Sequence, residues 1–236
     1  MKKNIVVILH LYYHDLWNEF ASYLSNIEEP FDLCISLCKD HDNEKIQEII
    51  KKDFPVARFL IVENLGADIK PFFDWLNVLK KEQCNYKYIL KIHSKKTLRK
   101  KSKTYGKNWR KHFLKILLGN KDQVQKILTL LGNDAGIVSA KKYLSPVHTN
   151  HKSRLEEKIT RLYMLKKFNL KDTSNANFFA GTMFWCRYDI LNEYIEMEDL
   201  SNEFYYIDDS WKRKIFAIER FFNLFFINKK LKVIGI

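Results

Sequence analysis

The chain has 236 residues, of which 46% are hydrophobic and 29% charged, and its formal net charge is +13. This size and composition favour one folded domain with a substantial core and exclude a disordered or repetitive chain. Its apolar stretches fall far short of the roughly 20 residues needed to cross a bilayer. The basic start is interrupted by Asp15 and no cleavage site follows, so we expect a cytoplasmic protein.

Strands and helices are predicted to alternate through the first hundred residues. The run NIVVILH at residues 4–10 is continuously apolar, which is typical of a strand buried on both faces. Further strands are predicted at FDLCISLC, ARFLIVEN and YKYILKIH, with helices between them at residues 14–25, 43–52 and 69–81. The alternation predicts an α/β fold with an open, mostly parallel sheet and helices on both faces. Ligands bind such sheets beyond the carboxyl ends of the strands.

The third predicted strand runs into VENLGADIKPF, where Gly66 permits a tight turn and Asp68 precedes a helix. In one interpretation Asp68 caps that helix, while Asn64 and Gly66 build the turn. In the other, the three residues belong to a binding site at the strand end. The spacing alone favours the cap.

The fourth predicted strand ends in KIHSKK, and its alternation places Lys91 and His93 on one face and Ile92 on the other. Lysines that face a cleft at this strand end could neutralise a diphosphate without a metal. The alternative is a solvated run of charge. No acidic residue occurs between Lys91 and His112, so much of the excess positive charge is local.

Three later segments are informative. FFAGTMFWCRYDIL predicts a strand opened by an Ala-Gly pair, where the backbone can approach a sugar closely or form a bulge. Residues 151–167 predict a charged amphipathic helix that packs on the surface. The segment FAIERFFNLFFINKK favours core packing, and contact with a membrane surface is the alternative.

Seven sequence blocks, in order along nearly the whole chain, resemble the rhamnan synthesis protein F family. They are HLYYHDLW, FDLCISL, VENLGADIKPF, YKYILKIHSKK, YGKNWRKHFLKILLGN, FFAGTMFWCR and FAIERFF. The resemblance implies a glycosyltransferase that makes rhamnose-containing wall polysaccharide or O-antigen. It also implies a fold similar to the GT-A type, in which one α/β domain binds a nucleotide sugar. The sequence departs from the family pattern at Phe216, where the family has a histidine.

The resemblance implies one domain over residues 1–236, with a donor-binding half at 1–112 and an acceptor-side half at 113–236. The residues expected to bind the donor are His10, Asn64, Gly66, Asp68, Lys91, His93, Lys95 and Lys96. Those expected on the acceptor side are Trp109, Arg110, Gly181, Thr182, Trp185 and Arg220.

No metal cofactor is expected. GT-A-type enzymes usually hold a divalent ion with an Asp-x-Asp at the end of the strand that YILKIH resembles, but here the place reads His-Ser-Lys. Hard divalent ions prefer carboxylate oxygens. We therefore expect His93, Lys95 and Lys96, helped by Arg99, to stabilise the leaving diphosphate. The less favoured alternative is a metal held by Asp68 or Asp209.

An inverting sugar transfer needs a general base that takes the proton of the acceptor hydroxyl, and a carboxylate can supply it. The candidates are Asp208, Asp209 and Glu219, which follow the AGTMFW block. For Glu219, the alternative is a structural ion pair with Arg220 or another basic group.

We expect the protein to be a glycosyltransferase in the cytoplasm, and the alternative location is the inner face of the membrane. Its partners would be a nucleotide-sugar donor such as dTDP-rhamnose and a polysaccharide or lipid-linked glycan acceptor, with peripheral membrane contact as an option. A nucleic-acid-binding protein would use the basic run, but the sequence has no helix-turn-helix, zinc-finger or RNP signature. A non-catalytic glycan-binding module would need exposed aromatic residues and no phosphate site. The transferase accounts for both the basic strand end and the carboxylates.

Overall fold

A seven-stranded sheet forms the centre of the protein. The structure is a computed structural model that describes residues 3–96, 103–146, 162–163, 165–171, 176–194 and 211–236. The strands are β1 (Ile5–His10), β2 (Phe31–Cys38), β3 (Arg58–Val62), β4 (Tyr88–His93), β5 (Ala135–Ser139), β6 (Leu144–Pro146), β7 (Asn177–Phe179), β8 (Phe184–Arg187) and β9 (Lys232–Gly235).

Helices connect most of these strands. The first five are α1 (Trp17–Leu24), α2 (Glu44–Asp53), α3 (Ile69–Lys81), α4 (Lys103–Leu118) and α5 (Lys121–Gly132). Two more helices span Tyr188–Tyr194 and Trp211–Asn228, and short 3-10 helices span His14–Leu16 and Lys141–Tyr143.

The strand order in the sheet is β3-β2-β1-β4-β8-β5-β9. The pairs β1–β2, β1–β4, β2–β3 and β5–β9 are parallel, whereas β8 runs antiparallel to both β4 and β5. Strands β6 and β7 form a separate antiparallel pair. The α/β class with an open, mostly parallel sheet is confirmed.

Each face of the sheet carries its own hydrophobic core. Val6 and Ile8 of β1 belong to a cluster that includes residues of α3 and of the helix Trp211–Asn228. Val7 and Leu9 belong to a second cluster with residues of α1, α4 and α5. Because successive side chains of a strand point to opposite faces, the continuous apolar run of β1 is explained by burial on both sides. The expectation of helices on both faces is confirmed.

The predicted boundaries agree best where turn residues flank the element. The bounds of β2 and α3 are those expected from the sequence, while β3 ends at Val62 because a tight turn follows, with Leu65 N donating to Glu63 O at 2.8 Å. The first predicted helix begins as the 3-10 turn His14–Leu16 before α1.

The Ala-Gly pair of the second half does not open a strand, which corrects that expectation. Ala180 and Gly181 form a turn between β7 and β8, which belong to different sheets. Gly181 has φ 114° and Thr182 has φ 51°, and neither angle is compatible with a strand. The chain therefore turns out of the small sheet before it enters the large one.

The aromatic segment near residue 220 packs in the core, as expected. Phe221, Phe222, Phe225 and Phe226 are each at most 2% exposed. This face is not available to a membrane surface, so that alternative is wrong for these residues. None of the helices within the described ranges has both the length and the apolar composition to cross a membrane.

The predicted helix at residues 151–167 lies mostly outside the described residues. Residues 162–163 and 165–167, which are described, are helical.

Candidate functional site

A pocket of about 290 Å³ lies at the carboxyl ends of β1, β3 and β4. His10 and His93 end two neighbouring parallel strands and stand opposite each other in register, which brings both imidazoles to the same edge of the sheet. The pocket is lined by His10, Tyr12, Tyr13, Asn64, Ala67, Asp68, His93, Ser94, Lys95 and Lys96. This is the position at which open α/β sheets bind ligands.

A buried polar network lies around Asp68. Its Oδ2 atom accepts hydrogen bonds from Lys91 Nζ at 2.5 Å and from the Thr182 hydroxyl. Lys91 Nζ also donates to the Thr182 carbonyl oxygen at 2.9 Å. Asp68 stands at the N-cap position of α3, but its side chain accepts no hydrogen bond from that helix. The capping interpretation is therefore wrong, and the carboxylate serves the network instead.

Asp68 is held in its ionised form. Burial alone would raise the pKa of this carboxyl, but the neighbouring His93 imidazole, the charge of Lys91 and the hydrogen bonds from Lys91 and Thr182 hold the pKa well below its ordinary value. Within the described residues, only Oδ2 of the two carboxylate oxygens receives hydrogen bonds from the protein. The Oδ1 atom of a permanently charged Asp68 is thus available to a ligand in the pocket.

The two histidines of the pocket are neutral near pH 7. Burial lowers the pKa of His10 to about 4 and that of His93 to about 3. His10 Nδ1 lies 3.0 Å from the hydroxyl oxygen of Ser36. His93 Nδ1 is buried without a hydrogen-bond partner among the described residues and lies 3.4 Å from Asp68 Oδ2. His93 therefore carries no positive charge with which to stabilise a leaving diphosphate, contrary to expectation, and it acts as a neutral polar group.

The lysines of the KIHSKK block take different positions. Lys91 is 1% exposed and lies beneath Asp68, which neutralises its charge. Contrary to expectation, Lys91 therefore does not face the pocket. Lys95 and Lys96 line the pocket, with Lys95 Nζ 4.3 Å from the centroid of the Trp109 ring. Lys96 pairs with Asp15. Arg99 lies outside the described residues.

The loop after β3 is shaped by left-handed backbone. Gly66 has φ 71° and Ala67 has φ 49°, and the Gly66 carbonyl accepts hydrogen bonds from Ile69 N and Lys70 N. This turn places Asp68 at the first position before α3 and leaves Asn64 in the pocket wall. Gly66 therefore shapes the site without lining it.

The turn at Gly181 connects Glu219 to the network. Gly181 N donates to Glu219 Oε1 at 2.5 Å, and burial raises the pKa of Glu219 above its ordinary value. A Cβ atom on Gly181 would lie 2.0 Å from Cζ2 of Trp109, so only glycine fits against this ring. Because Thr182 follows directly, one turn positions both the Thr182 contact with Asp68 and the carboxylate of Glu219.

Four residues expected on the acceptor side take different positions. Trp109 lies against the site, with its ring 5.6 Å from that of His93. Trp185 is fully buried and donates from Nε1 to the Leu117 carbonyl, so it contributes to the core instead of touching a substrate. Arg110 is also buried, where it pairs with Glu19 and fixes the chain after β4. Arg220 lies over the Phe178 ring.

Two of the three expected base candidates, Asp208 and Asp209, lie outside the described residues. Sequence reasoning missed Tyr12, Tyr13, Ala67 and Ser94, which line the pocket. Tyr12, Tyr13 and Ser94 lie within three residues of the end of a predicted strand, so the strand-end rule could have found them. Within the described parts of the chain, no group of three or more His, Cys, Asp or Glu side chains is arranged to hold a metal ion. Independence from metal stays a prediction.

Comparisons with known proteins add to this geometry. A family model described as rhamnan synthesis protein F matches residues 1–230. The uncharacterized protein WxcX of Xanthomonas campestris pv. campestris is 29% identical to this chain over 227 residues, and WxcX of strain B100 is 28% identical over 227 residues. Each alignment covers 92% of this chain but 30% of the relative, so the chain spans about 30% of the length of the curated relatives that it matches.

Among solved structures, the crystal structure of S. aureus TarS 1-349 is similar, with 12% identity and a TM-score of 0.38. That match covers 93% of this chain and 72% of the other.

Proposed function

The chain belongs to the rhamnan synthesis protein F family, and from this premise we propose that it is a glycosyltransferase of surface-polysaccharide synthesis. The sugar would come from a nucleotide-diphosphate donor. The observation that carries the proposal is the composition of the pocket, which joins one ionised carboxylate and two neutral imidazoles to a lysine-bearing rim.

A nucleotide sugar presents two kinds of chemistry, an anionic diphosphate and several hydroxyl groups. Lys95 and Lys96 line the pocket and suit the diphosphate, because charge-assisted hydrogen bonds to phosphate are strong. The Oδ1 atom of Asp68 and the imidazoles of His10 and His93 suit hydroxyl groups, which both donate and accept hydrogen bonds. A purely anionic ligand would not use this carboxylate. The pocket chemistry therefore favours a phosphorylated sugar or nucleoside over inorganic phosphate.

Glu219 is the described residue best suited to act as general base. Its raised pKa makes its carboxylate a stronger base than Asp68, whose pKa is depressed. In the proposed step the carboxylate takes the proton of the acceptor hydroxyl, the hydroxyl oxygen bonds to the anomeric carbon, and the bond to the nucleoside diphosphate breaks. Such a step inverts the configuration of that carbon. Asp208 and Asp209 stay alternative candidates for the same role.

The finer features of the activity are part of the proposal. The family name supports rhamnose as the transferred sugar, and dTDP-rhamnose is then the donor to test first. A polysaccharide or a lipid-linked glycan is the proposed acceptor, and the cytoplasm is the proposed location. We also propose that residues 1–112 bind mainly the donor and residues 113–236 mainly the acceptor.

Thermal-shift measurements with a panel of nucleotide sugars test the proposal. A ligand that binds only the native state raises stability in proportion to the logarithm of its concentration above Kd. We expect dTDP-rhamnose or a related nucleotide sugar to raise the melting temperature in the presence of EDTA, and sugar transfer to follow when a glycan acceptor is added. Stabilisation by free glycans with none by any nucleotide would instead indicate a non-catalytic glycan-binding module.

A further inference from the structure

The excess positive charge of the chain lies in one continuous segment. Residues 83–121 contain 13 Lys and Arg residues and no Asp or Glu, whereas the whole chain contains 41 Lys and Arg and 28 Asp and Glu. The rest of the chain therefore carries 28 basic and 28 acidic residues and has a formal net charge of zero. The segment that includes β4 and α4 accounts for the entire excess of +13.

Part of this charge is paired with carboxylates of the same chain. Lys91, Lys96, Arg110 and Lys121 each pair with a carboxylate from another part of the sequence. Cations that are neutralised in this way stabilise the structure or a site and contribute little to attraction at a distance. The cations that remain exposed decide what the surface can attract.

Three lysines of α4 remain exposed on one face of the helix. Lys107, Lys111 and Lys115 follow each other at a spacing of four residues, which places them in one row along the helix. None of them forms an ion pair with another residue in the described part of the chain. Like charges in a row repel each other, so this row weakens the helix unless an anionic partner binds it.

Two more lysines extend this row sideways. The 3-10 helix Lys141–Tyr143 packs on α4, where the Tyr143 ring lies 5.5 Å from that of His112. Burial, together with the charges of Lys142 and Lys115, lowers the pKa of His112, so both cations act on the same imidazole. Lys141 and Lys142 are exposed. We call the surface formed by Lys107, Lys111, Lys115, Lys141 and Lys142 the lysine face.

We propose that the lysine face docks the protein onto a membrane surface rich in anionic phospholipid. It contains lysine and no arginine, and compact, strongly hydrated ammonium groups suit diffuse attraction to a charged surface, whereas bidentate recognition of nucleic acid favours arginine. It also lacks exposed large apolar side chains. Those found among the described residues lie elsewhere, at Ile49, Val56, Ile61, Leu162 and Tyr163. Docking is therefore electrostatic and involves no insertion into the bilayer.

Helix α4 links the lysine face to the pocket wall. Its buried face carries Trp109, which contacts Lys95 of the pocket wall, and its exposed face carries Lys107, Lys111 and Lys115. The inference goes beyond the proposed function, because docking depends on surface charge and would stand whatever ligand the pocket binds.

Co-sedimentation with vesicles tests this inference. We expect the protein to bind vesicles that contain phosphatidylglycerol and not vesicles of phosphatidylcholine alone. Each lysine near an anionic surface contributes about a fivefold gain in affinity, so the variant K107E/K111E/K115E, which loses three lysines and adds three negative charges, should bind more weakly by at least about 100-fold. Salt provides a test without mutation, since raising the ionic strength from about 0.1 M to about 1 M shortens the screening length from about 10 Å to about 3 Å and should release the protein.

A matched control lies on α2, where K45E/K51E/K52E makes the same charge change at three exposed positions. This control should bind vesicles like the wild type, and both triple variants should keep the response to nucleotide sugars. Three results would overturn the inference. They are equal binding to neutral vesicles, unchanged binding by K107E/K111E/K115E, and release from vesicles by single-stranded RNA at equal phosphate concentration, which would indicate a nucleic-acid surface instead.

Discussion

The ammonium group of Lys91 lies 2.5 Å from Oδ2 of Asp68, and the lysine side chain is 1% exposed. Lys91 belongs to β4, whereas Asp68 stands at the start of α3, so the pair links two elements at the carboxyl edge of the sheet. A buried ion pair gains little over a well-packed apolar pair, but the loss of one partner leaves an uncompensated charge. The value of this pair therefore lies in keeping Asp68 ionised at the pocket.

Replacing Lys91 should destabilise the protein strongly. Lys91→Met leaves Asp68 buried beside no cation, which should lower the free energy of unfolding by about 3–5 kcal/mol, measured by urea denaturation. Adding Asp68→Leu should recover much of this loss. As a control, Lys39→Ala removes one partner of the exposed pair with Glu63 and should cost about 0–1 kcal/mol. Equal costs for Lys91→Met and Lys39→Ala would contradict the assigned role.

Lys95 should contribute to nucleotide binding without supporting the fold. Lys95→Ala removes a cation from the pocket wall, and a hydrogen bond to a charged group contributes about 1.5–3 kcal/mol, so affinity for a nucleoside diphosphate should fall by about 10- to 100-fold. Titration calorimetry measures the affinity, and circular dichroism checks the fold. Lys52→Ala, at an exposed position on α2, is the matched control and should bind normally. Normal binding by Lys95→Ala would place the diphosphate elsewhere.

Glu219→Gln should separate catalysis from structure. Its amide can still accept the hydrogen bond from Gly181 N, but it cannot take a proton, so sugar transfer should fall by about 10²- to 10⁴-fold while donor affinity is kept. Because the pKa of Glu219 is raised in the folded protein, its contribution to stability is present at low pH and lost as pH rises through that pKa. Near pH 7 the neutral amide should therefore keep or raise the melting temperature.

Two comparisons sharpen this test. Asp208→Asn and Asp209→Asn, assayed in the same way, show whether the base is one of these residues. A fall in melting temperature of Glu219→Gln that parallels the loss of transfer would indicate a structural carboxylate.

Acid should destabilise the protein through its buried histidines. The pKa of His10 is lowered to about 4 and that of His93 to about 3, whereas the unfolded chain binds these protons near pH 6.5. Between pH 6.5 and 4 the unfolded state therefore binds more protons, and stability should fall with decreasing pH by about 1.4 kcal/mol per unit for each histidine. Urea denaturation at several pH values measures this slope. His93→Gln should reduce it by about half, and an unchanged slope would show that His93 does not remain neutral.

The first half of the fold was predictable because its signals are local. The limits of α3 follow from a turn residue at Gly66 and a run of apolar residues at helical spacing, and β1 follows from an unbroken apolar run. The edge of the sheet that carries the site follows from the rule that binding residues collect at the carboxyl ends of parallel strands.

The remainder depends on contacts between distant parts of the chain. Thr182 bonds to Lys91 across 91 positions of sequence, and no local pattern indicates that β8 inserts between β4 and β5. The alternation of β4 places Lys91 on the same face as His93 and so predicts that it faces the pocket. Its burial depends on the distant contact with Thr182, which no local pattern indicates. Burial of Trp185 follows from this insertion, because β8 lies inside the sheet with neighbours on both sides.

The position of β8 has a consequence for biosynthesis. Residues 184–187 fill the gap between β4 and β5, and the chain just before them supplies the Thr182 groups that bind Lys91. On the ribosome, a nascent chain that stops short of β8 has an unpaired β4 edge and a buried lysine with only part of its polar shell. Long-range pairing of this kind slows folding, because the chain loses entropy when the long loop closes, before the contacts that offset this loss have formed. The binding edge is therefore completed only after residues 184–187 have been synthesised.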